Sequence, residues 1–282
     1  MNKVAIITDS TVNLPSETIQ ALDIKLMHQI LIWGGKTYLD LIDIQTEEFY
    51  RRLRVDKDNP TTSQASVGEF KDAFGQLINQ GYEVLAMLLS HKLSGTIQSA
   101  TQALEYYPGA PIKIFDTTST SLGMGWQVVE TARAAQQGAS MAECLAIAEK
   151  ARANSGVVFV VDTLEFLHRG GRIGGAARFL GTALNLKPVL ELQEGAIEAI
   201  ERVPTSRKAV NRMIEVVKER IGDQTPVKLG ILNADVPERG KHLADHCREV
   251  FKPVELISSP VSPVIGTHTG PGTLGIAYLA GM

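Results

Sequence analysis

Three segments of the chain combine hydroxyl, glycine and histidine residues in patterns that could bind an anion. Thr62 lies in a hydroxyl-rich segment just before a predicted helix. Ser94 and Gly95 lie where a predicted strand feeds a helix, whose free N–H groups and dipole favour an anion. Glycine there lets the anion approach the backbone closely. His268 is the only large side chain in the glycine-rich segment 266–272, which we expect to be a loop that presents the imidazole.

Each of these candidates also has a purely structural explanation. Ser94 could serve only as a helix N-cap, and a hydroxyl-rich segment beside a helix is typical of plain turns. Arg172 follows two glycines and suits planar contacts to a carboxylate or a phosphate, but it could equally lie in a solvated turn. The residue types therefore indicate an anion site without fixing which side chains touch the anion.

The elements that must position these residues alternate between strands and helices in the first half of the chain. The predicted strands cover 3–8, 25–33, 83–89 and 111–115. The predicted helices cover 44–54, with Thr46 as a plausible N-cap, 94–107 and 121–137, and also 66–79 and 140–153, which begin with the capping boxes of Ser66 with Glu69 and of Ser140 with Glu143. This alternation predicts a parallel sheet with helices on both faces. In such sheets ligands gather at the carboxyl ends of the strands, where Asp9, Ser94 and Asp116 follow predicted strands.

The second half of the chain has a different pattern. Predicted strands cover 157–161, 188–192, 196–200 and 227–232, and predicted helices cover 164–169, 208–221 and 239–250. The second and third of these strands flank Glu194-Gly195 and read as a hairpin. We therefore expect an α/β protein of two domains, with the ligand between or beside them. An N-terminal three-layer α/β/α domain with a parallel sheet would cover 1–153, and a C-terminal α/β domain with a mixed sheet would cover 154–282.

The composition excludes several classes of protein. The 282 residues carry a formal net charge of −3, which gives no reason to expect nucleic acid as a partner. Cys144 and Cys247 are too few for a disulfide framework or a zinc site. The first residues run straight into a strand pattern, and no apolar run reaches the roughly 18 residues that span a bilayer. We expect a cytoplasmic protein without stable membrane insertion.

Familiar catalytic and nucleotide-binding motifs are incomplete or absent in this sequence. Gly35-Lys36-Thr37 resembles the end of a P-loop, but Ile30 stands where that loop needs glycine, and a turn at Gly34-Gly35 is the better interpretation. The glycines at 270, 272 and 275 lie too close to the last residue to precede a βαβ unit. Neither a G-x-S-x-G elbow nor an H-E-x-x-H motif occurs. We therefore predict no catalytic residue and no metal site.

Taken together, the polar segments resemble the DegV family along the whole chain. The resemblance rests on ITDSTVNLP at 7–15, TSQAS at 62–66 with Glu69-Phe70, LSGTIQSA at 93–100, Asp116 with Ser121 and Gly123, LHRGGRI at 167–173 and VIGTHTGPGTLGI at 264–276. The chain departs from the usual family pattern at Leu41, Ala65, Ile97 and Thr117. None of these departures removes a proposed ligand of the anion.

The resemblance implies that the anion is the carboxylate of one long-chain fatty acid, held in an apolar tunnel with no other cofactor. Similar proteins are the lipid-carrying, non-catalytic subunit of a bacterial fatty acid kinase, whose ATP-binding subunit forms the acyl phosphate. Carried over by motif, Thr62, Ser94 and His268 would contact the carboxylate. Arg172 would support that network or contact the kinase, and Gly95 and Thr267, the latter beside His268, would share this supporting role. We expect a monomer in isolation.

Two other functions fit the same sequence. An autonomous small-molecule kinase or phosphatase would need an ATP or metal site, for which Asp9 and Asp116 could be magnesium ligands. Each is more simply explained as a carboxylate that caps or holds a loop. A lipid-sensing regulatory protein would share the fatty acid pocket and differ only in its partner.

Overall fold

The computed structural model describes residues 3–181 and 186–282. Within them, the strands are β1 (Val4–Asp9), β2 (Lys25–Met27), β3 (Ile30–Trp33), β4 (Lys36–Leu39), β5 (Thr61–Ser63), β6 (Glu83–Leu88), β7 (Ile112–Asp116), β8 (Ser155–Val160), β9 (Lys187–Gln193), β10 (Ala196–Val203), β11 (Val227–Asn233), β12 (Glu255–Pro260) and β13 (Leu274–Ala280). The α-helices are α1 (Ser16–Ala21), α2 (Thr46–Leu53), α3 (Val67–Asn79), α4 (Thr96–Leu104), α5 (Ser121–Gln136), α6 (Met141–Ala153), α7 (Glu165–Arg169), α8 (Ser206–Ile221), α9 (Pro237–Phe251) and α10 (Pro263–Thr269). Short 3₁₀ helices cover Ser10–Val12 and Gly174–Phe179.

The first sheet has the order β2-β1-β6-β7, and all of its neighbouring strands are parallel. This confirms the parallel sheet predicted for the first half of the chain. The residues of β6 from Val84 to Leu88 are all buried, as expected for a strand that is covered on both faces. The carboxyl ends of β1, β6 and β7 lie at one edge of this sheet, so the loops that follow them meet there.

The second sheet has the order β10-β9-β8-β13-β11-β12. The pair β11–β12 is parallel and the other pairs are antiparallel, which confirms the predicted mixed sheet. The predicted hairpin around Glu194-Gly195 is confirmed as β9–β10. The sequence indicated only an apolar segment after residue 275, whereas the structure places β13 there, in the centre of the sheet.

The two sheets share a central layer of helices. Helices α3 and α4 cover the outer face of the first sheet, and α8 and α9 cover the outer face of the second. Helix α5 lies between the sheets, and Met87, Trp126 and Phe159 belong to one continuous core there. Most residues of this helix are buried, among them Leu122, Trp126 and Val129, as expected for a helix with a sheet on either side. The last strand of the first sheet ends at Asp116, and the first strand of the second sheet begins at Ser155. The domain boundary at 153/154 stays a prediction.

The prediction of one strand over 25–33 was wrong. The chain leaves the first sheet after β2, and β3 then joins a small antiparallel sheet of order β4-β3-β5. The break falls at His28-Gln29, where the His28 N–H donates to the carboxylate of Glu69. That carboxylate is therefore not available to complete the expected capping box, although Ser66 does cap α3. The turn predicted at Gly34-Gly35 is confirmed between β3 and β4.

Two helix starts also needed correction. Helix α2 has Gln45 rather than Thr46 as its N-cap, and α4 begins at Thr96, with Gly95 rather than Ser94 as the N-cap. The capping box of Ser140 and Glu143 is confirmed at the start of α6. Each error is a shift of one or two residues.

The prediction that segment 266–272 forms a loop was wrong in its first part. Helix α10 runs through His268 and ends before Gly270, whose φ of 74° is a common helix stop. Pro263 is well placed in its first turn, where no N–H partner is lost. The glycine at 266 is there for packing, because a Cβ would crowd Phe49 and Tyr50. No helix of the described residues is long and apolar enough to cross a bilayer.

Candidate functional site

A cavity lies at the carboxyl edge of the first sheet. Thr11, Leu89 and Thr120 line it from the loops after β1, β6 and β7. The small antiparallel sheet and α10 close its other side. The cavity lies at the edge where ligands gather in parallel sheets, which is the edge expected from the sequence.

The structure brings the main predicted residues into this one cavity. Thr62 lines it from β5, Ser94 from the loop before α4, His268 from the last turn of α10, and Arg172 from the turn after α7. Of the predicted supporting residues, Gly95 caps α4 beside Ser94.

Thr267 is buried and does not line the cavity. Its hydroxyl donates to the Pro263 carbonyl one turn earlier in α10. Thr267 therefore stabilises α10, which carries His268, and its side chain does not face the protein surface.

His268 is packed, in contrast to the exposed imidazole expected from the sequence. Its Nε2 lies 2.7 Å from Oγ1 of Thr62. Its Nδ1 is buried, has no hydrogen-bond partner among the described residues, and faces Gly170, where any Cβ would overlap it. Burial, followed by the positive charge of Arg172, lowers the pKa of His268 to about 4, so the ring is neutral at pH 7.

The surroundings of the His268 ring favour one of its two neutral tautomers. A buried N–H without an acceptor is costlier and rarer than a bare acceptor, which favours the proton on Nε2 rather than on Nδ1. The Nε2–H then donates to Thr62 Oγ1, and the single hydroxyl proton of Thr62 is free to point into the cavity. His268 thus turns Thr62 into a directed donor.

Ser94 is the second hydroxyl directed at the cavity. Its Oγ accepts the Thr96 N–H at 3.3 Å and lies 2.9 Å from the Thr96 hydroxyl oxygen. The N-cap of α4 is Gly95, which has no side chain, so Ser94 lies at the positive end of that helix dipole. Thr62 and Ser94 together offer neutral donors to an anion.

Arg172 clamps two backbone segments around the cavity. Its Nε donates to the Leu93 carbonyl at 2.9 Å, and its Nη1 donates to the Gly170 carbonyl at 2.7 Å. These bonds tie the loop that carries Ser94 to the turn that packs against His268. The geometry fits the supporting role expected from the sequence.

Asp9 holds its loop in place, as the simpler explanation from the sequence predicted. One carboxylate oxygen accepts the N–H and the hydroxyl of Thr11, and the other accepts the Leu89 N–H. Burial raises the pKa of Asp9, and these hydrogen bonds oppose that shift. Asp116 likewise accepts the Thr118 N–H and contacts His91.

A second cavity continues from the first. Leu93, Ile197 and Ile265 line both of them. The second cavity lies against the inner face of the second sheet, where Phe159 and Leu232 are cross-strand neighbours of Gly275. The combined space therefore has a polar end at the first sheet and an apolar end at the second.

Sequence reasoning missed the polar residues behind the cavity. Gln29 lines it, and its amide bonds to Thr96. Asp40 accepts the Ser10 hydroxyl at 2.7 Å and the Val264 N–H of α10 at 3.2 Å, and burial raises its pKa to about 7. The one available signal was the polar pair 28–29 inside an apolar segment, and it was read as part of a strand.

Comparison with known proteins identifies the family. A family model described as "Uncharacterised protein, DegV family" matches residues 3–281. A DegV domain-containing protein of Streptomyces coelicolor is 35% identical over 276 residues, which are 97% of each chain. One from Halalkalibacterium halodurans is 32% identical over 279 residues, 99% of each chain.

Solved structures agree over the full length. A DegV family protein of Thermus thermophilus, described by its fatty acid binding, has a TM-score of 0.93 at 34% identity and covers 99% of each chain. DegV of Bacillus subtilis, described as a fatty acid binding protein, has a TM-score of 0.91 at 28% identity, with 99% of this chain and 100% of that chain covered. A stearic acid-binding protein of Eubacterium ventriosum has a TM-score of 0.91 at 25% identity and covers 100% of this chain and 99% of that chain. The chain therefore belongs to the DegV family, several members of which bind fatty acids.

Proposed function

We propose that this protein binds one long-chain fatty acid, acts in the cytoplasm without catalysing a reaction itself, and presents the carboxylate to a separate kinase subunit for acyl phosphate formation. The carboxylate would bind at Thr62, Ser94 and His268, and the tail would fill the apolar cavity. The observation that carries this proposal is the junction of the two cavities, one lined by directed hydroxyls and the other by apolar side chains.

The tail supplies most of the affinity. Burial is worth about 0.8 kcal/mol for each CH₂, so a sixteen-carbon chain gains on the order of 10 kcal/mol before the losses that accompany binding. The core between the two sheets provides that burial through Phe159, Leu192 and Leu232. A short carboxylic acid would use only the polar end and would bind far more weakly.

The carboxylate head group must be hydrogen-bonded without being held so tightly that it cannot react. A desolvated carboxylate costs several kcal/mol unless it is hydrogen-bonded. The hydroxyls of Thr62 and Ser94 offset that cost without a permanent ion pair. Two of the Arg172 nitrogens are already committed to backbone carbonyls, so the guanidinium supports the site rather than gripping the carboxylate. This suits a head group that must next attack a phosphoryl group and leave.

The polar end also lies near the surface. Gln64, which lines the cavity, is exposed, and so are Thr61 and Gly171, which precede the lining residues Thr62 and Arg172. A kinase subunit that contacted this rim would reach the carboxylate while the tail stayed in place. Arg172, half-buried at the same rim, is the residue we expect such a partner to contact.

Two measurements test this function. Organic extraction and mass spectrometry of protein purified from a bacterial host should recover a fatty acid in a near 1:1 ratio. ATP consumption in the presence of palmitate should require an added kinase subunit. The Arg172→Ala variant should still carry lipid and should support less turnover with that subunit.

Other outcomes would count against the proposal. Protein that contains no lipid and gains no thermal stability from palmitate or oleate would contradict fatty acid binding. ATP turnover by the protein alone would favour the autonomous enzyme. Stoichiometric lipid with no turnover on addition of any kinase subunit would favour the lipid sensor.

A further inference from the structure

A second layer of polar side chains lies behind Ser94. The Thr96 hydroxyl is fully buried, 2.9 Å from the Ser94 hydroxyl. Gln29 is also buried, and its side-chain amide bonds to the same threonine. Its Nε2 lies 2.9 Å from Thr96 Oγ1 and its Oε1 lies 3.1 Å from it. The three side chains form a short hydrogen-bonded chain that ends in the cavity.

Proton counting limits what this chain can do. Each hydroxyl has one proton to donate and can accept two, whereas the amide both donates and accepts. In one arrangement Ser94 donates to Thr96, and Thr96 donates to the Gln29 carbonyl. In the other, the Gln29 N–H donates to Thr96, Thr96 donates to Ser94, and the Ser94 proton points into the cavity. Both arrangements pair every buried hydroxyl.

We propose that Gln29 and Thr96 are positioning residues that direct the Ser94 hydroxyl proton towards the ligand carboxylate. The proposal rests on the function proposed above and adds to it a residue pair that does not itself hold the carboxylate. When the anion binds, the chain takes the second arrangement, because only then does Ser94 donate into the cavity while its oxygen still receives the Thr96 proton. Hydrogen bonds in such a chain strengthen one another.

The pair is the counterpart of His268 on the other side of the cavity. There a ring N–H fixes the Thr62 proton in one direction. On the Ser94 side, the amide of Gln29 allows the Ser94 hydroxyl to change the direction in which it donates its proton. A glutamine is suited to this because it carries a donor and an acceptor on one end, which leucine, methionine or an ionised glutamate lacks.

The test replaces Thr96 by valine, which has the same shape but no hydroxyl, and by serine, which keeps the hydroxyl. Affinities for palmitate and for hexadecanol are measured on each delipidated protein. Thr96→Val should bind palmitate about tenfold more weakly, as expected for one lost hydrogen bond in a chain that ends on a charge. Hexadecanol, which can donate as well as accept, should change by less than about twofold. Thr96→Ser should restore palmitate affinity to within about threefold of the wild type.

A second variant keeps the proposal testable if valine disturbs the fold. Gln29→Met should weaken palmitate binding by about threefold, and the double variant Gln29→Met/Thr96→Val should be no weaker than Thr96→Val alone, since Gln29 acts through Thr96. Additive losses would overturn the relay and assign Gln29 a separate contact.

Two further results separate this inference from the proposed function. Equal losses of palmitate and hexadecanol on Thr96→Val, or no loss of either, would overturn the relay while fatty acid binding stands. A wild-type protein that binds neither ligand would overturn both.

Discussion

The polar and apolar ends of the cavity are built in different ways. The polar end consists of single atoms held by named hydrogen bonds, such as Thr62 to His268, and small displacements there break contacts. The apolar end is a space against the second sheet, where the side chains of Phe159 and Leu232 can offer a ligand only van der Waals contact. We therefore expect the polar end to select ligands by the chemistry of the head group and the apolar end to select them only by the size of the tail.

The largest effect should follow from removing both directed hydroxyls. Thr62→Val/Ser94→Ala removes two hydrogen bonds to a charged group, each worth about 1.5–3 kcal/mol, so palmitate affinity should fall by at least about 100-fold. Hexadecanol affinity should fall far less, because that ligand carries no charge. Titration of both ligands into delipidated protein measures the ratio. Parallel losses would show that the two residues shape the tail path instead.

The next effect is on pH dependence, which only the polar end should show. His268 has an ordinary pKa near 6.5 when unfolded and about 4 when folded, so the unfolded chain takes up its proton first as pH falls. The stability of the wild type relative to His268→Gln should therefore decrease between pH 6.5 and 4, by about 3 kcal/mol in total. Denaturant unfolding at several pH values measures it.

The matched control for that measurement lies in the apolar end. Phe159→Leu should lower stability by an amount that does not change with pH, because no titrating group is altered. A pH-independent difference for His268→Gln would mean that the pKa of the ring is the same in the folded and the unfolded protein, and a wild-type advantage that grows as the pH falls would mean that the folded protein holds the proton more tightly.

The smallest effect should come from narrowing the apolar end. A Cβ at Gly275 would meet Phe159 and Leu232 at 3.4–3.5 Å, which is ordinary contact, so Gly275→Ala and Gly275→Val should fold. Each should weaken palmitate binding progressively, by up to about tenfold, while dodecanoate is less affected. Calorimetry across a series of chain lengths checks this. An equal loss at all lengths would place the tail elsewhere.

The same contrast explains what could be predicted from the sequence. Thr62, Ser94 and His268, which line one cavity, could be proposed together because each lies in a segment with a distinctive local pattern and because the carboxyl-edge rule and the family resemblance linked them. The setting of His268 was not recognised, because a glycine-rich helix that packs closely on aromatic rings looks like a loop. A single sequence does not show which glycines serve packing rather than turns.

The hydrogen bonds of Asp40 and Gln29 that support the site could not be predicted from the sequence, for a different reason. Asp40 joins Ser10, 30 residues away, to Val264, 224 residues away, and neither spacing carries a local signal. Gln29 meets Thr96 across 67 residues. Such contacts are fixed only when the sheets, α10 and the small antiparallel sheet are assembled, so they follow from tertiary packing and not from periodicity.

The most direct test of the central claim is a crystal structure with a long-chain fatty acid that carries bromine on its terminal carbon. The account predicts an anomalous peak in the apolar cavity near Phe159 and Leu232, and carboxylate density within hydrogen-bonding distance of Thr62 and Ser94. A bromine peak beside Ser94, or at the protein surface, would contradict it.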